Sequence, residues 1–206
     1  MRSLPDGAWM QKADASTIEG IGIPSEVLME RAALGVVEFM EEQCLDKGRL
    51  LVVCGSGNNG GDGFAVARLL HQKGRGHDVT VFFVGKEASM SRECGLQARI
   101  AKNLGVEIVT EIPDGEYNII IDSVFGVGLS REIGGRYAEV VEWMNRQDAV
   151  KLAIDIPSGI DARSGQVLGV AFRVDYTVTF QCEKLGCVLF PGAEYAGFVH
   201  VSDIGI

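Results

Sequence analysis

Leu50-Leu-Val-Val-Cys54-Gly55-Ser-Gly-Asn-Asn-Gly-Gly-Asp-Gly63 is the stretch that decides the fold. A short run of apolar, partly β-branched residues is the pattern of a strand buried on both faces, and here it empties into a glycine-rich turn ahead of a helical pattern at 64–72. Strand, glycine turn and helix in that order begin a βαβ unit, whose backbone N–H groups and helix N-terminus can cradle phosphate. The turn contains Gly55-x-Gly57-x-x-Gly60, yet two familiar motifs do not fit it. The dinucleotide fingerprint needs an acidic residue closing the second strand, about 20 residues on, to hold a ribose. That strand closes in Val84-Gly85, with Glu87 beyond. A P-loop needs Lys-Ser or Lys-Thr after the glycines, and neither follows. What sets the turn apart is Asn58, Asn59 and Asp62, whose side-chain oxygens stand beside the backbone donors; the plainer alternative is that these residues merely favour tight turns.

Outward from this stretch, strands are expected at 50–54, 79–84, 106–109, 119–122 and 152–156, with helices at 64–72, 91–104 and 136–145. Two further strands, 175–180 and 197–202, follow without an obvious helix between them. Residues 11–43 carry apolar residues at helical spacing, interrupted at 22–24, and predict a helical N-terminal arm whose second helix is capped by Ser25. The alternation predicts an α/β fold, a Rossmann-like three-layer αβα sandwich with a mostly parallel central sheet. No linker, repeat or low-complexity stretch divides residues 1–206, so one domain is expected.

A formal net charge of -9 argues against sequence-independent nucleic-acid binding, which needs a basic face. An anionic ligand would have to be held by local donors. The N-terminal residues lack the apolar core of an export signal, and the apolar runs are far shorter than the ~20 residues of a membrane helix. A cytoplasmic protein without a membrane partner is expected. Five cysteines, odd in number and irregularly spaced, predict reduced structural thiols rather than a disulfide framework. His71, His77 and His200 are scattered and support neither a metal cluster nor a catalytic triad.

In a parallel sheet the informative residues are those that follow each strand. Asp122 closes the apolar run 119–121, where a carboxylate needs a cation or backbone donors, and Arg131 sits in the glycine-rich turn beyond, as a phosphate fork or as a solvated surface arginine. Asp155, in Ala153-Ile-Asp-Ile-Pro-Ser-Gly159, is the best acid–base candidate because its isoleucine neighbours imply burial; capping the next turn is the alternative. Lys184 follows the strand at 175–180 and is a further candidate, with an exposed turn as the alternative.

Together, Asn58-Asn-Gly-Gly-Asp-Gly63, Asp122 with Phe125-Gly126-x-Gly128, and Ala153-Ile-Asp-Ile-Pro-Ser-Gly159 resemble the NAD(P)H-hydrate epimerase family, the YjeF N-terminal domain. The resemblance runs from Ile23-Pro24 and Leu28-Met-Glu30 to Lys184-Leu-Gly186 and Asp203-Ile-Gly205. One departure is Arg31-Ala32-Ala33, where the family usually reads Asn-Ala-Gly, so that helix is expected to differ in its contacts with ligand or partner. The resemblance implies an enzyme, an isomerase that interconverts the R and S hydrates of NADH and NADPH (NADHX and NADPHX) in nicotinamide nucleotide repair. It implies substrate contacts at Asn58, Asn59, Gly60, Gly61 and Asp62, at Gly126, Val127, Gly128, Leu129, Ser130, Arg131 and Glu132, and at Asp155. It also implies one potassium ion per subunit on Asn59, Asp122 and Ser158, a homodimer, and a separate or fused dehydratase acting downstream. Asp155 and Lys184 are the expected acid–base pair for loss and re-addition of water at the nicotinamide ring. A non-catalytic nucleotide-binding or dimerisation module of the same fold is the rival reading, and a hydride-transferring dehydrogenase is the third.

Overall fold

The computed structural model describes residues 7–74 and 77–206. Two helical segments lead the chain. The first, α1 (Gly7–Ala15), runs on into a π-helical turn at Ser16–Ile21, which stops at Gly22 in the left-handed region. The second, α2 (Ser25–Glu42), begins after Pro24, whose fixed φ and extended ψ end the interruption. Ser25 does not cap this helix. It is the first helical residue, and its hydroxyl instead donates to Glu93 at 2.8 Å.

From there strands and helices alternate: β1 (Gly48–Cys54), α3 (Asn58–Gln72), β2 (His77–Phe83), α4 (Arg92–Asn103), β3 (Glu107–Val109), β4 (Ile119–Ser123), α5 (Arg136–Arg146), β5 (Val150–Ile154), β6 (Tyr176–Phe180), a short α6 (Leu185–Val188) and β7 (Phe198–Ser202). All seven strands form one sheet in the order β3-β2-β1-β4-β5-β6-β7, and every pairing is parallel, more uniform than the mostly parallel sheet expected. The β6–β7 crossover is parallel although only the four residues of α6 and a single 3-10 turn lie within it. This is why the sequence shows no helix there.

The strands alternate in what they bury, as a pleated strand between two layers must. Leu50, Val52 and Cys54 pack with Phe39, Phe64 and Cys94 on the face covered by α2, α3 and α4. Leu51 and Val53 pack with Val140, Val141 and Met144 of α5 and with Phe172 on the other. Because the chain winds outward from β1 in both directions, its topological switch lies between β1 and β4, where a parallel sheet opens a crevice at its carboxyl edge.

Helix α3 starts at Asn58, six residues before the expected 64. Asn-Asn-Gly-Gly-Asp is a poor helical sequence by propensity, and tertiary packing overrides it. Gly60 lies against the Gly55 carbonyl, Gly63 against Ser123 and Cys54, and Gly61 against Met29 and Cys94. These glycines let the helix lie on the sheet. A Cβ at Gly60 would overlap backbone that cannot swing aside, whereas one at Gly57 meets open space. Gly60→Ala is therefore expected to lower stability by about 1–3 kcal/mol, seen as a fall of several degrees in melting temperature. Gly57→Ala is expected to cost less than about 1 kcal/mol. Equal melting curves for the two variants would contradict this packing.

Candidate active site

At the switch point the first turn of α3, the loop after β4, the turn after β5 and the start of α6 surround a cavity of about 880 Å³. That is within the range of sites for nucleotide-sized ligands. Its lining mixes apolar side chains with polar and charged ones, Asp62, Arg131, Asp155 and Lys184 among them.

Lys184 and Asp155 form the central feature. The lysine is only 1% exposed, and its ammonium lies 2.7 Å from Asp155 Oδ1. It also donates to Thr179 Oγ1 and to the Phe180 carbonyl, each at 2.8 Å. An ammonium has three N–H donors, so all of them are occupied. Asp155 Oδ2 accepts from the Val127 N–H at 3.2 Å, which ties the loop after β4 to the pair.

Both partners are delivered by unusual turns. Asp155 has φ 72° and Gln181 has φ 64°, rare values for residues with a Cβ. In each case the next N–H reaches back two residues, Ile156 to the Ile154 carbonyl at 3.0 Å and Cys182 to Phe180 at 2.7 Å. Such tight positive-φ turns are strained, and their location at the ends of β5 and β6 turns the chain sharply where the site needs it.

Behind this pair lies a second node. Asp122 is fully buried and accepts hydrogen bonds from the Ser158 N–H and hydroxyl, both at 2.7 Å, and from the Val124 N–H at 3.1 Å. Burial pushes its carboxyl up to about 6, while these three bonds pull the other way. Asn59, in the first turn of α3, is tied to the same strand end, its backbone carbonyl accepting from the hydroxyl of Ser123. Its carboxamide nitrogen and oxygen are both buried, and neither has a hydrogen-bond partner among the described residues. A buried amide with nothing to bind is costly, so its place is explained by something it holds. Asp62, one turn further along α3, also lines the cavity. Burial, then the carboxylates of Asp155 and Asp14, hold it well above the ordinary carboxyl value, with Lys184 opposing.

The chain matches the family described as YjeF-related protein N-terminus over residues 25–186. It belongs to that family. Among its relatives, the NAD(P)H-hydrate epimerase of Oenococcus oeni is 44% identical over 195 residues, 94% of this chain and 92% of that protein. The NAD(P)H-hydrate epimerase of Levilactobacillus brevis is 42% identical over 197 residues, 95% of this chain and 91% of that protein. The crystal structure of the yeast protein YNL200c superposes with a TM-score of 0.81, covering 97% of this chain and 87% of that one; at 18% identity it speaks for the fold.

Within this YjeF-type domain, most residues singled out in the sequence meet at the cavity: Asn58, Asn59, Asp62, Gly126, Val127, Gly128, Leu129, Ser130, Arg131, Asp155 and Lys184 all line it. Lys184 is buried and ion-paired, not part of an exposed turn. Gly60 and Gly61 face inward instead, and the Gly61 N–H is already bonded to the Gly57 carbonyl. Glu132 is exposed and outside the lining. Asp122 and Ser158 lie behind the wall. At the family's departure, Ala32 lines the cavity, and Arg31 is exposed and rests near Gly205, between the lining residues Ile204 and Ile206. The sequence reading passed over Asp14, which lines the cavity with Met10 and Ile18 from the N-terminal arm, and Lys86 beyond β2. Met10, Asp14 and Ile18 recur at steps of four, the spacing of one helix face. The thiols do not enter. Burial pushes Cys94 and Cys187 up to about 12 and Cys54 well above its usual value.

Removing Lys184 would leave Asp155 without its counter-ion. Lys184→Met is expected to destabilise the fold by about 3 kcal/mol in urea unfolding, at the low end for a broken buried pair because Asp155 borders the cavity. Adding Asp155→Asn is expected to restore part of that loss. Strictly additive single and double variants would show that the pair is not coupled.

Proposed function

We propose that this chain is an NAD(P)H-hydrate epimerase, which interconverts the R and S forms of NADHX and NADPHX. The observation that carries this reading is the buried Lys184–Asp155 pair set into the wall of a nucleotide-sized cavity, in a chain 44% identical to a protein of that name.

The reaction needs no redox step. The hydrate bears a hydroxyl on the ring carbon beside the nicotinamide nitrogen. Protonation of that hydroxyl lets the nitrogen lone pair expel water, leaving a planar cation that water can attack from either face. Asp155, as the carboxylate of an ion pair, stabilises the cation and takes the proton of the incoming water. Lys184 fixes Asp155 in place, because its three N–H groups are all engaged by the protein. The helix start at Asn58 and the glycine turn at Gly126 and Gly128 offer donors for the nucleotide's phosphates, and Arg131 adds a guanidinium at the rim.

A potassium ion fits beside this site. Asn59 has an unpartnered buried carboxamide, and Asp122 and Ser158 add oxygen donors of the kind a hard cation prefers. When bound, the ion would be held by Asn59, Asp122 and Ser158 and would supply a fixed positive charge at this wall of the site. We assign one per subunit. We also propose a cytoplasmic homodimer, with the open edge of strand β7 as the contact for a second copy, and a downstream dehydratase that consumes the S form. No helix among the described residues is long and apolar enough to cross a membrane. A monomeric mass in sedimentation at micromolar concentration would rule out the dimer.

The decisive assay follows purified R- and S-NADHX by chromatography with the wild-type protein and with Asp155→Asn. A loss of about 100- to 10,000-fold in rate is expected for the variant. Tight binding of NADHX with no acceleration by the wild type would instead mark a binding module. Replacing potassium by a bulky organic cation at equal ionic strength is expected to lower the melting temperature of the wild type but not of Asn59→Ala. Equal responses would remove the cation from Asn59.

A further inference from the structure

Expulsion of the hydroxyl needs a proton donor besides the Asp155 carboxylate. Asp155 is paired with an ammonium and acts as a carboxylate, and Lys184 has no N–H free to give. We propose that Asp14 is a second catalytic carboxyl of this site, presented by helix α1 to the same cavity as Asp155 so that the two exchange one proton during inversion of the hydrate. The inference rests on the epimerase reading and deepens it.

The placement comes from the arm. Met10, one turn before Asp14, is buried with its sulfur 3.1 Å from Cys182 Sγ, so α1 lies over the turn that carries Lys184. Ile18, one turn after, lines the cavity too, within the π-helical turn that follows α1. Asp14 thus occupies the cavity-facing position between two apolar contacts. Among the described residues it makes no hydrogen bond or ion pair, and its carboxyl borders the space where a ligand would lie. Burial raises its affinity for a proton, the Asp155 carboxylate raises it further, and Lys184 opposes.

Three charged groups face Asp14 from the elements around it: Asp155 after β5, Lys184 at the start of α6 and Asp62 on α3. Lys184 is bonded to Asp155, so a proton shared between Asp14 and Asp155 rests on Asp14. Asp62 is the competing acid and shares Asp155 as its first charged neighbour; it stands on the helix start proposed to cradle the nucleotide, whereas Asp14 is presented from the arm between the lining residues Met10 and Ile18. The carboxylates are spread around the wall, and among the described residues no three His, Cys, Asp or Glu side chains are gathered as a metal site.

The step balances without an external reagent. In one direction Asp14 gives its proton to the hydroxyl oxygen, the C–O bond breaks with its electrons leaving on water, and the nitrogen lone pair forms C=N. A water then adds to the opposite face, the C=N pair returns to nitrogen, and Asp155 takes the water's proton. In the other direction Asp155 is the acid and Asp14 the base. Electrons are neither gained nor lost, and the two coupled carboxyls re-equilibrate one proton between turnovers.

The test compares wild type, Asp14→Asn, Asp14→Glu and Asp62→Asn for the interconversion of R- and S-NADHX across pH, with melting temperatures in parallel. Asp14→Asn is expected to lower kcat about 100- to 10,000-fold while KM changes less than about threefold and the melting temperature holds. The wild-type rate is expected to fall as rising pH removes the Asp14 proton, whose affinity burial and Asp155 raise, and the residual rate of Asp14→Asn to lack that fall. Asp14→Glu, which keeps the carboxyl, is expected to recover part of the rate. A wild-type kcat in Asp14→Asn, a loss confined to KM, or a fall with rising pH that vanishes in Asp62→Asn and persists in Asp14→Asn would overturn the assignment. If the wild type itself fails to interconvert the hydrates, the epimerase reading falls and takes this inference with it; if only Asp14→Asn matches the wild type, Asp14 alone is wrong.

Discussion

An ammonium buried to 1% exposure must have each of its N–H groups satisfied, and the environment of Lys184 is built around that demand. Two of its partners, Thr179 Oγ1 and the Phe180 carbonyl, belong to β6, and the third is the Asp155 carboxylate at the end of β5. Meeting that third partner fixes where the chain must leave the sheet. It accounts for an aspartate held at φ 72° immediately after a strand, a conformation with no purpose in a plain connection. The other oxygen of Asp155 then holds the Val127 N–H, so one ion pair organises three of the loops that enclose the cavity.

The opposite wall depends on absence of side chains. With no Cβ at Gly60, Gly61 and Gly63, α3 lies directly on Gly55, Met29, Ser123 and Cys54, and its first turn projects into the crevice between β1 and β4. The Ser123 hydroxyl donates to the Asn59 carbonyl and locks that turn to β4. Asn59 is thereby held at the end of β4 with a buried carboxamide that has no partner among the described residues. Rigid packing on one side and a charged pair on the other make a site that is formed before any ligand arrives.

Much of this was legible in the sequence because short-range patterns carry it. The run Leu50 to Cys54 alternates its burial between two layers, and a carboxylate after each of two apolar runs pointed to Asp122 and Asp155 at the strand ends. What was not legible arises from contacts distant in sequence. No local propensity starts a helix at Asn58; the approach of Gly55, Met29 and Ser123 does. Lys184 was a candidate from its place after a strand, but its burial and its pairing with Asp155 follow only when β5 and β6 are laid side by side. Asp14 was hidden because it follows no strand and belongs to no glycine-rich turn, although its spacing from Met10 and Ile18 places all three on one face. The Ser25 cap failed for a related reason: a serine after a break matches the signal, but its hydroxyl found Glu93, 68 residues away.

The central claim is that inversion proceeds through loss of water to a planar cation, with buried carboxylate chemistry at Asp155. The most direct measurement is to run the interconversion of R- and S-NADHX in heavy-oxygen water and follow the label by mass spectrometry. The account predicts that the heavy isotope enters the hydrate at the rate of epimerisation, because every inversion requires a new water from the opposite face. Rapid inversion with the original oxygen retained would contradict it.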